Sequence, residues 1–305
     1  MKFLFIFLDG VGLGVDDPQV NPLAKAHMPA LQQLLGGGKL LRESAPCECA
    51  RATLLPLDSR LGVPGIPQSA TGQATLLTGK NVPAEIGYHY GPKPNPDVAL
   101  ALRNGNLFHR LVASGHCAAF LNAYPPRYFE AINSGMRMYS AIPMAVHSAG
   151  IALRTSQDLY AGNALAADFT ARGWREFLGF ADTPVISSFQ AGERLSHLAD
   201  RCEFSFFEYW LSDYAGHHQD MDEAVRLMEE FDGVLEGLAA SWRDEAGLVL
   251  ITSDHGNLED LSTRRHTQNP VPALLIGDRE LRKTFSQGLS NLADVAPAII
   301  KLFSI

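Results

Sequence analysis

Carboxylate and imidazole side chains follow three apolar segments of this chain, and one further histidine lies a short distance beyond the last segment. These residues are Asp9, Asp213, His217, Asp254, His255 and His266. The carboxyl ends of parallel strands share one edge of a sheet, and ligands bind at that edge. Mixed oxygen and nitrogen donors suit Zn²⁺ or Mn²⁺ better than a thiolate-type site does. The pattern therefore predicts a divalent-metal site, if the apolar segments are neighbouring strands.

The clearest of these segments is residues 248–257, Leu-Val-Leu-Ile-Thr-Ser-Asp-His-Gly-Asn. Its run of apolar and β-branched residues predicts a buried strand. Asp254 and His255 then stand where the strand ends. Taken alone, Asp-His-Gly would favour an ordinary Asx-turn with an exposed histidine, so the prediction depends on the other segments. We expect Glu259 and Asp260, just beyond, to lie on a solvated loop.

Asp213 and His217 are four residues apart, a spacing that places both on one face of a helical turn. The alternative is an N-cap aspartate with an exposed histidine. A different pattern surrounds Ser69 and Thr71, which precede an apolar helical run ending at Gly79. A hydroxyl there can cap the helix or lie as an alkoxide at its positive end. The residues alone favour the cap.

Alternating strand and helix patterns predict an α/β fold, with a mostly parallel sheet between layers of helices. We expect residues 1–305 to form a single core. Residues from about 123 to 190 fit this alternation poorly, and we interpret them as a small inserted lid. Arg127 and Arg154 in this lid are candidates for clamping a substrate anion.

Composition limits the function classes. The chain has 305 residues, of which 46% are hydrophobic, and a formal net charge of −8. An acidic chain disfavours nucleic acid or an anionic membrane as the main partner. The apolar run before Asp9 is too short for a signal peptide, and no stretch reaches about 20 apolar residues. We expect Cys117 and Cys202 to be separate core residues, which fits a reducing, cytoplasmic location.

Five motifs, taken in order, resemble the alkaline phosphatase superfamily, and most closely the metalloenzyme domain of cofactor-independent phosphoglycerate mutase and phosphopentomutase. They are Asp9-Gly10, Ser69-Ala70-Thr71-Gly72, Asp213-Tyr214-Ala215-Gly216-His217, Asp254-His255-Gly256-Asn257 and His266-Thr267-Gln268-Asn269-Pro270-Val271-Pro272. The motifs extend over both ends of the chain. The resemblance implies an alkaline-phosphatase-like core that binds two divalent ions, Mn²⁺ or Zn²⁺, with Mg²⁺ as a further candidate.

The resemblance also assigns roles. The first metal site would consist of Asp213, His217 and His266. The second would consist of Asp9, Asp254 and His255. Ser69 would be the nucleophile and would also contact the second metal; it is preferred over Thr71 because the family nucleophile lies three residues before the glycine. Thr71 and Gln73 are further candidates for substrate binding.

Two departures bear on the activity. Gln73 stands where the closest relatives have histidine, and Ala70 stands where the mutases have an acidic residue. The resemblance thus implies phosphoryl transfer on a small phosphorylated metabolite, by a phosphatase or a phosphomutase, with a slight preference for the phosphatase. The alternative is a metal-binding sensor or scaffold that has lost catalysis. A sulfatase is disfavoured, because Ser69 lacks the following Pro and Arg. A dinucleotide-binding oxidoreductase is also disfavoured, because residues 10–14 do not form G-x-G-x-x-G.

Overall fold

The computed structural model describes residues 1–305, with side chains for all of them except residue 246. The strands are Lys2–Leu8 (β1), Cys47–Glu48 (β2), Ala52–Leu57 (β3), Ala118–Phe120 (β4), Phe204–Tyr209 (β5), Gly247–Thr252 (β6) and Val271–Gly277 (β7). They form one seven-stranded sheet in the order β2-β3-β7-β6-β1-β5-β4. Neighbours from β6 to β4 pair in parallel, and β7, β3 and β2 pair antiparallel. The α/β prediction is confirmed, with a mixed rather than mostly parallel set of pairings.

The first half of the chain holds helices Pro22–Lys25 (α1), Pro29–Leu34 (α2), Ser69–Thr78 (α3), Val82–Ile86 (α4), Pro96–Arg103 (α5), Leu107–Ala113 (α6), Pro126–Asn133 (α7) and Ala141–Ser148 (α8). The second half holds Ser156–Tyr160 (α9), Arg172–Glu176 (α10), Ser188–Ala199 (α11), Leu211–His218 (α12), Met221–Ser241 (α13), Arg279–Ser286 (α14) and Val295–Phe303 (α15). Short 3₁₀ helices occupy Arg42–Ser44, Asp244–Ala246 and Leu292–Asp294.

Strand β1 shows why the sheet is covered on both faces. Leu4, Ile6 and Leu8 point into one apolar cluster, and the alternate residues Phe3, Phe5 and Phe7 point into the other. All six side chains are buried. Side chains of a strand alternate between faces, so a strand that is apolar throughout requires helices on both sides.

Helices α11 and α13 cover the Leu4 face and approach each other closely. A Cβ on Gly192 would lie 2.1 Å from the Val234 carbonyl oxygen, and one on Gly237 would lie 1.9 Å from the Phe189 carbonyl oxygen. Only glycine permits this backbone approach. On the Phe3 face, α3, α5 and α8 pack together, joined by α15.

The predicted lid, residues 123–190, packs in two parts. Helix α8 buries Ile142, Met144 and Val146 in the cluster that contains Phe3, so it belongs to the body of the protein. Residues further along form a small cluster of their own, which includes Leu159 and Trp174. A lid function therefore applies at most to the second part, and it remains a prediction.

Two cysteines are placed differently from the sequence prediction. Cys117 and Cys202 are joined in a disulfide with 4.9 Å between their Cα atoms, so the prediction of two separate thiols was wrong. Their 85-residue separation carried no pairing signal. Cys47 and Cys49 are free thiols. Among the described residues, no helix combines the length and apolar character needed to cross a membrane.

Candidate metal centre

The predicted ligands meet because their strands are neighbours. Strand β1 lies between β5 and β6 and pairs in parallel with both. Asp9 therefore emerges at the same edge as Asp254 and His255, which follow β6. At that edge β5 leads into α12, which carries Asp213 and His217. His266 arrives on the loop between β6 and β7.

A first group consists of Asp213, His217 and His266, whose ligand atoms lie within 4.8 Å of one another. The Nε2 of His217 is 3.3 Å from Asp213 Oδ2, and the Nε2 of His266 is 3.6 Å from Asp213 Oδ1. Asp213 is held by Asn257, whose side-chain amide donates to Asp213 Oδ1 at 2.7 Å.

The two imidazoles of this group are oriented as metal ligands would be. Nδ1 of His217 faces the Arg264 carbonyl oxygen at 2.9 Å, and Nδ1 of His266 faces the Pro67 carbonyl oxygen at 2.8 Å. A carbonyl oxygen only accepts hydrogen bonds, so both Nδ1 atoms carry the proton in the neutral rings. The two Nε2 atoms, 3.2 Å apart, then face each other with lone pairs. Lone pairs that converge in this way suit a metal ion and cannot bond to each other.

A second group surrounds His255. Its Nε2 lies 3.4 Å from Asp9 Oδ1 and 3.6 Å from Asp254 Oδ2, and its ring stacks on His266 with centroids 3.7 Å apart. Asp213 also falls within 4.8 Å of Asp9 and His255, so it lies between the two groups. Among the described residues, the buried Asp9 Oδ1 and Asp254 Oδ1 have no hydrogen-bond partner.

Burial and mutual repulsion disfavour the charged forms in this second group. Burial, and then the charges of Asp254 and Asp213, raise the pKa of Asp9 well above its ordinary value. Burial and the Asp213 charge raise the pKa of Asp254 to about 7. Divalent cations would relieve this repulsion and supply partners for the two unsatisfied oxygens. The donor set therefore fits the divalent ions predicted from the sequence.

In the first group, the pKa of the carboxylate is lowered instead of raised. Burial alone would raise the pKa of Asp213, but its contacts with His217, His255 and Asn257 outweigh burial and lower that pKa. Burial and the neighbouring His255 lower the pKa of His266 to about 4. His266 is therefore a neutral imidazole at physiological pH, which is the state that binds metals.

Ser69 lies at the first residue of α3, and the N-cap position is Gln68. Its Oγ is 3.0 Å from His255 Nε2, so it faces the second group and does not cap the helix. The hydroxyl thus sits at a helix N-terminus, where the dipole favours negative charge, and beside a predicted metal ligand.

The other sequence candidates on α3 do not face the pocket. Thr71 is fully buried, and its hydroxyl bonds to the backbone of Gln68 and Tyr90, so the predicted substrate contact was wrong. The side-chain amide of Gln73 donates to Asp9 Oδ2 at 3.3 Å and to Asp254 Oδ2 at 3.2 Å. Gln73 therefore holds two carboxylates of the second group instead of reaching outward.

The lid arginines are also not in the pocket. A cavity of about 360 Å³ opens above the metal centre and is lined by Ile66, Gln68, Ser69, Pro92, Asp213, His217, Arg265 and His266. Arg127 is exposed on α7, and Arg154 donates from Nε to the Phe120 carbonyl oxygen. The arginine that lines the cavity is Arg265. The sequence carried a signal for it, since it directly precedes His266.

Sequence reasoning missed two buried acids. Glu208, the penultimate residue of β5, accepts a hydrogen bond from the Tyr124 hydroxyl at 3.5 Å, and burial raises its pKa to about 7. A single acid within an apolar strand was the available signal. Glu259 is 1% exposed, so its predicted placement on a solvated loop was wrong.

Comparison with known proteins adds an independent finding. Residues 191–305 match the model of the Metalloenzyme superfamily, a region that contains Asp213, His217, Asp254, His255 and His266. Asp9 and Ser69 lie outside it.

Two curated relatives are named 2,3-bisphosphoglycerate-independent phosphoglycerate mutase. The protein from Antithamnion sp. is 29% identical over 130 residues, which are 40% of this chain and 26% of the relative. The protein from Saccharophagus degradans is 33% identical over 127 residues, which are 38% and 24% of the two chains. The match thus spans about a quarter of each relative's length.

A solved structure extends the likeness to the whole fold. The alkaline phosphatase from the Antarctic bacterium TAB5 superposes with a TM-score of 0.54, covering 99% of this chain and 97% of its own, at 13% identity. At that identity the likeness concerns the fold. The family match over residues 191–305 and the alkaline-phosphatase-like fold agree with the resemblance to the alkaline phosphatase superfamily that the sequence motifs predict.

Proposed function

We propose that this protein is a two-metal phosphoryl-transfer enzyme in which Ser69 attacks the phosphorus of a small phosphate ester. One observation carries the proposal: Ser69 Oγ lies beside His255 of the second group, and Ser69 lines the same cavity as the first group, which shares Asp213 with the second. The curated relatives are phosphoglycerate mutases and the structural neighbour is a phosphatase, which agrees with this reaction class.

The chain's own residues would act by placement and charge. Ser69 is fixed at the N-terminus of α3, where the helix dipole stabilises negative charge on its oxygen. Asp213, His217 and His266 lie across the cavity, where a leaving oxygen would rest. Divalent cations, when bound, supply the positive charge that stabilises the attacking and leaving oxygens. Attack breaks the phosphorus–oxygen bond of the ester and forms a phosphoserine, and transfer to water or to a second hydroxyl regenerates Ser69.

The cavity favours a small substrate and access of water. Its volume of about 360 Å³ is near the low end of the range for small-molecule sites. The His217 side chain is 43% exposed, so solvent reaches the first group. Arg265 at the cavity wall supplies a cation for the phosphate or another anionic group. We therefore propose hydrolysis as the main outcome, with transfer to a second hydroxyl of the substrate as the alternative.

The test compares Ser69→Ala with wild-type protein, using p-nitrophenyl phosphate and Mn²⁺. We expect turnover to fall about 1000-fold or more while Mn²⁺ binding remains, since removal of an essential nucleophile leaves only residual catalysis. Thr78→Val is the matched control, because Thr78 ends the same helix and its hydroxyl bonds to the Ala74 carbonyl oxygen.

Acid-quenched protein should contain phosphoserine at position 69. Equal turnover in Ser69→Ala would exclude the serine mechanism. Mn²⁺ binding by the wild type without turnover or phosphoserine would support the sensor or scaffold alternative.

A further inference from the structure

Glu259 is a buried carboxylate that accepts hydrogen bonds from two loops of the metal centre, the one after β1 and the one between β6 and β7. Its Oε2 accepts from the backbone N–H groups of Gly12 at 2.9 Å and Asn257 at 2.8 Å. Its Oε1 accepts from the Thr267 hydroxyl and from the Asn269 side-chain amide, the latter at 2.9 Å. Both oxygens are therefore used twice.

Each of these donors is close in sequence to a predicted metal ligand. Gly12 is three residues after Asp9, Asn257 is two residues after His255, and Thr267 directly follows His266. The side-chain amide of Asn257 also donates to Asp213 Oδ1. Through Asn257, Glu259 is therefore also connected to the helix that carries Asp213.

The glycines of the motifs leave room for this carboxylate. A Cβ on Gly12 would lie 2.3 Å from Glu259 Oε1, and a Cβ on Gly256 would lie 2.2 Å from the same atom. Real Cβ contacts at these distances do not occur, so a side chain at either position would displace the Glu259 carboxylate from its donors.

We propose that Glu259 is a positioning residue that sets the distances between the chain segments carrying Asp9, His255 and His266, and thereby the metal affinity of the centre. The inference rests on the proposed function only in assuming that these ligands bind divalent ions. A charged acceptor in a dry site forms strong hydrogen bonds, and partners that orient metal ligands are worth about 10- to 100-fold in metal affinity.

The test measures Mn²⁺ dissociation constants of wild-type protein and Glu259→Gln by titration calorimetry. Glutamine keeps the shape but presents an amide N–H₂ to one pair of donors, so the loops lose part of their common anchor. We expect the dissociation constant to rise about 10- to 100-fold. Native-state hydrogen exchange in EDTA should show faster exchange at Gly12 and Asn257.

Asp232→Asn is the matched control. Asp232 lies in α13 and is also a buried acid, 4% exposed, which accepts hydrogen bonds from the backbone N–H groups of Ala30 and Leu31. It should lower the melting temperature without changing Mn²⁺ affinity. A folded Glu259→Gln whose Mn²⁺ dissociation constant stays within twofold of wild type would reduce Glu259 to a structural acid.

If Glu259→Gln does not fold, Thr267→Val decides the question, because it removes one donor and leaves the carboxylate. We expect a rise of about threefold to tenfold in the Mn²⁺ dissociation constant, below the full effect, and an unchanged constant would overturn the inference. A wild type that binds Mn²⁺ but cleaves no ester would refute the proposed function alone. A wild type that binds no Mn²⁺ would refute both.

Discussion

Asp254→Asn separates the needs of metal binding from those of folding, because Asp254 is fully buried and its Oδ1 has no partner among the described residues. Burial raises its pKa from 3.8 to about 7. The folded state therefore binds the proton more tightly than the unfolded state, and the free energy of unfolding falls as pH rises between these two values.

The magnitude follows from the same pKa. Each pKa unit corresponds to about 1.36 kcal/mol, so the raised pKa of Asp254 lowers the free energy of unfolding of the metal-free protein by about 4 kcal/mol at pH 8 and about 2 kcal/mol at pH 5. Asparagine removes this cost and can still accept the hydrogen bond from Gln73. In EDTA at pH 8 the variant should melt about 8 °C above wild type, at about 2 °C per kcal/mol for a chain of this size.

Mn²⁺ should narrow the difference in melting temperature between Asp254→Asn and wild type. At 100 times its dissociation constant a metal stabilises the wild type by about 2.7 kcal/mol, whereas a variant lacking one ligand gains little. The assay is thermal unfolding in EDTA and in MnCl₂, at pH 5 and pH 8. Asp260→Asn is the control, since this acid lies in the same loop and bonds to Ser262 at the surface. An Asp254→Asn protein less stable than wild type in EDTA at pH 8 would refute the reasoning.

Two further substitutions test the pocket and the sheet edge. Arg265→Gln should raise KM for a phosphate ester about tenfold with little change in Mn²⁺ affinity, since it removes a cation from the residues that line the cavity. Steady-state kinetics measures this rise. The control Arg264→Gln should show no such rise, because the Nε of Arg264 donates to Gln219. Arg282→Met should lower the free energy of unfolding by about 2–4 kcal/mol, because its buried guanidinium bonds to Thr53 and to the carbonyl oxygens of Ala50 and Gly277. Urea unfolding measures that loss, and a Mn²⁺ dissociation constant that changed with it would contradict a purely structural role.

Much of the fold could be predicted because its signals are local. The apolar run in β6, the helix from Met221 to Ser241 and the Gly79 that ends α3 all follow from periodicity and backbone preference. The antiparallel pairings could not be predicted in this way. They depend on the direction in which β7 and β3 run through the sheet, and buried apolar residues suit a strand of either direction.

The residues of the candidate site were also only partly predictable. The metal-ligand candidates each end a recognisable segment, and the structure brings them together. Arg127 and Arg154 were chosen by charge and by an interpretation of the lid, and neither property encodes distance from Ser69. Glu259 was missed because a Glu beside Asp260 is typical of a surface loop, and only the folded chain brings Gly12, 247 residues away, to its carboxylate.

The central position of β1 has a consequence for synthesis of the protein. Ile6 pairs with Phe207 and Ile251, which are translated about 200 or more residues later. At about 5–20 residues per second, the ribosome takes on the order of ten seconds or longer to supply those partners. Throughout that interval the nascent chain carries the unpaired, uncharged segment Phe3–Leu8, a sequence prone to intermolecular strand pairing. Cellular yield of this protein should therefore depend on chaperones that shield its first strand until the last third of the chain emerges.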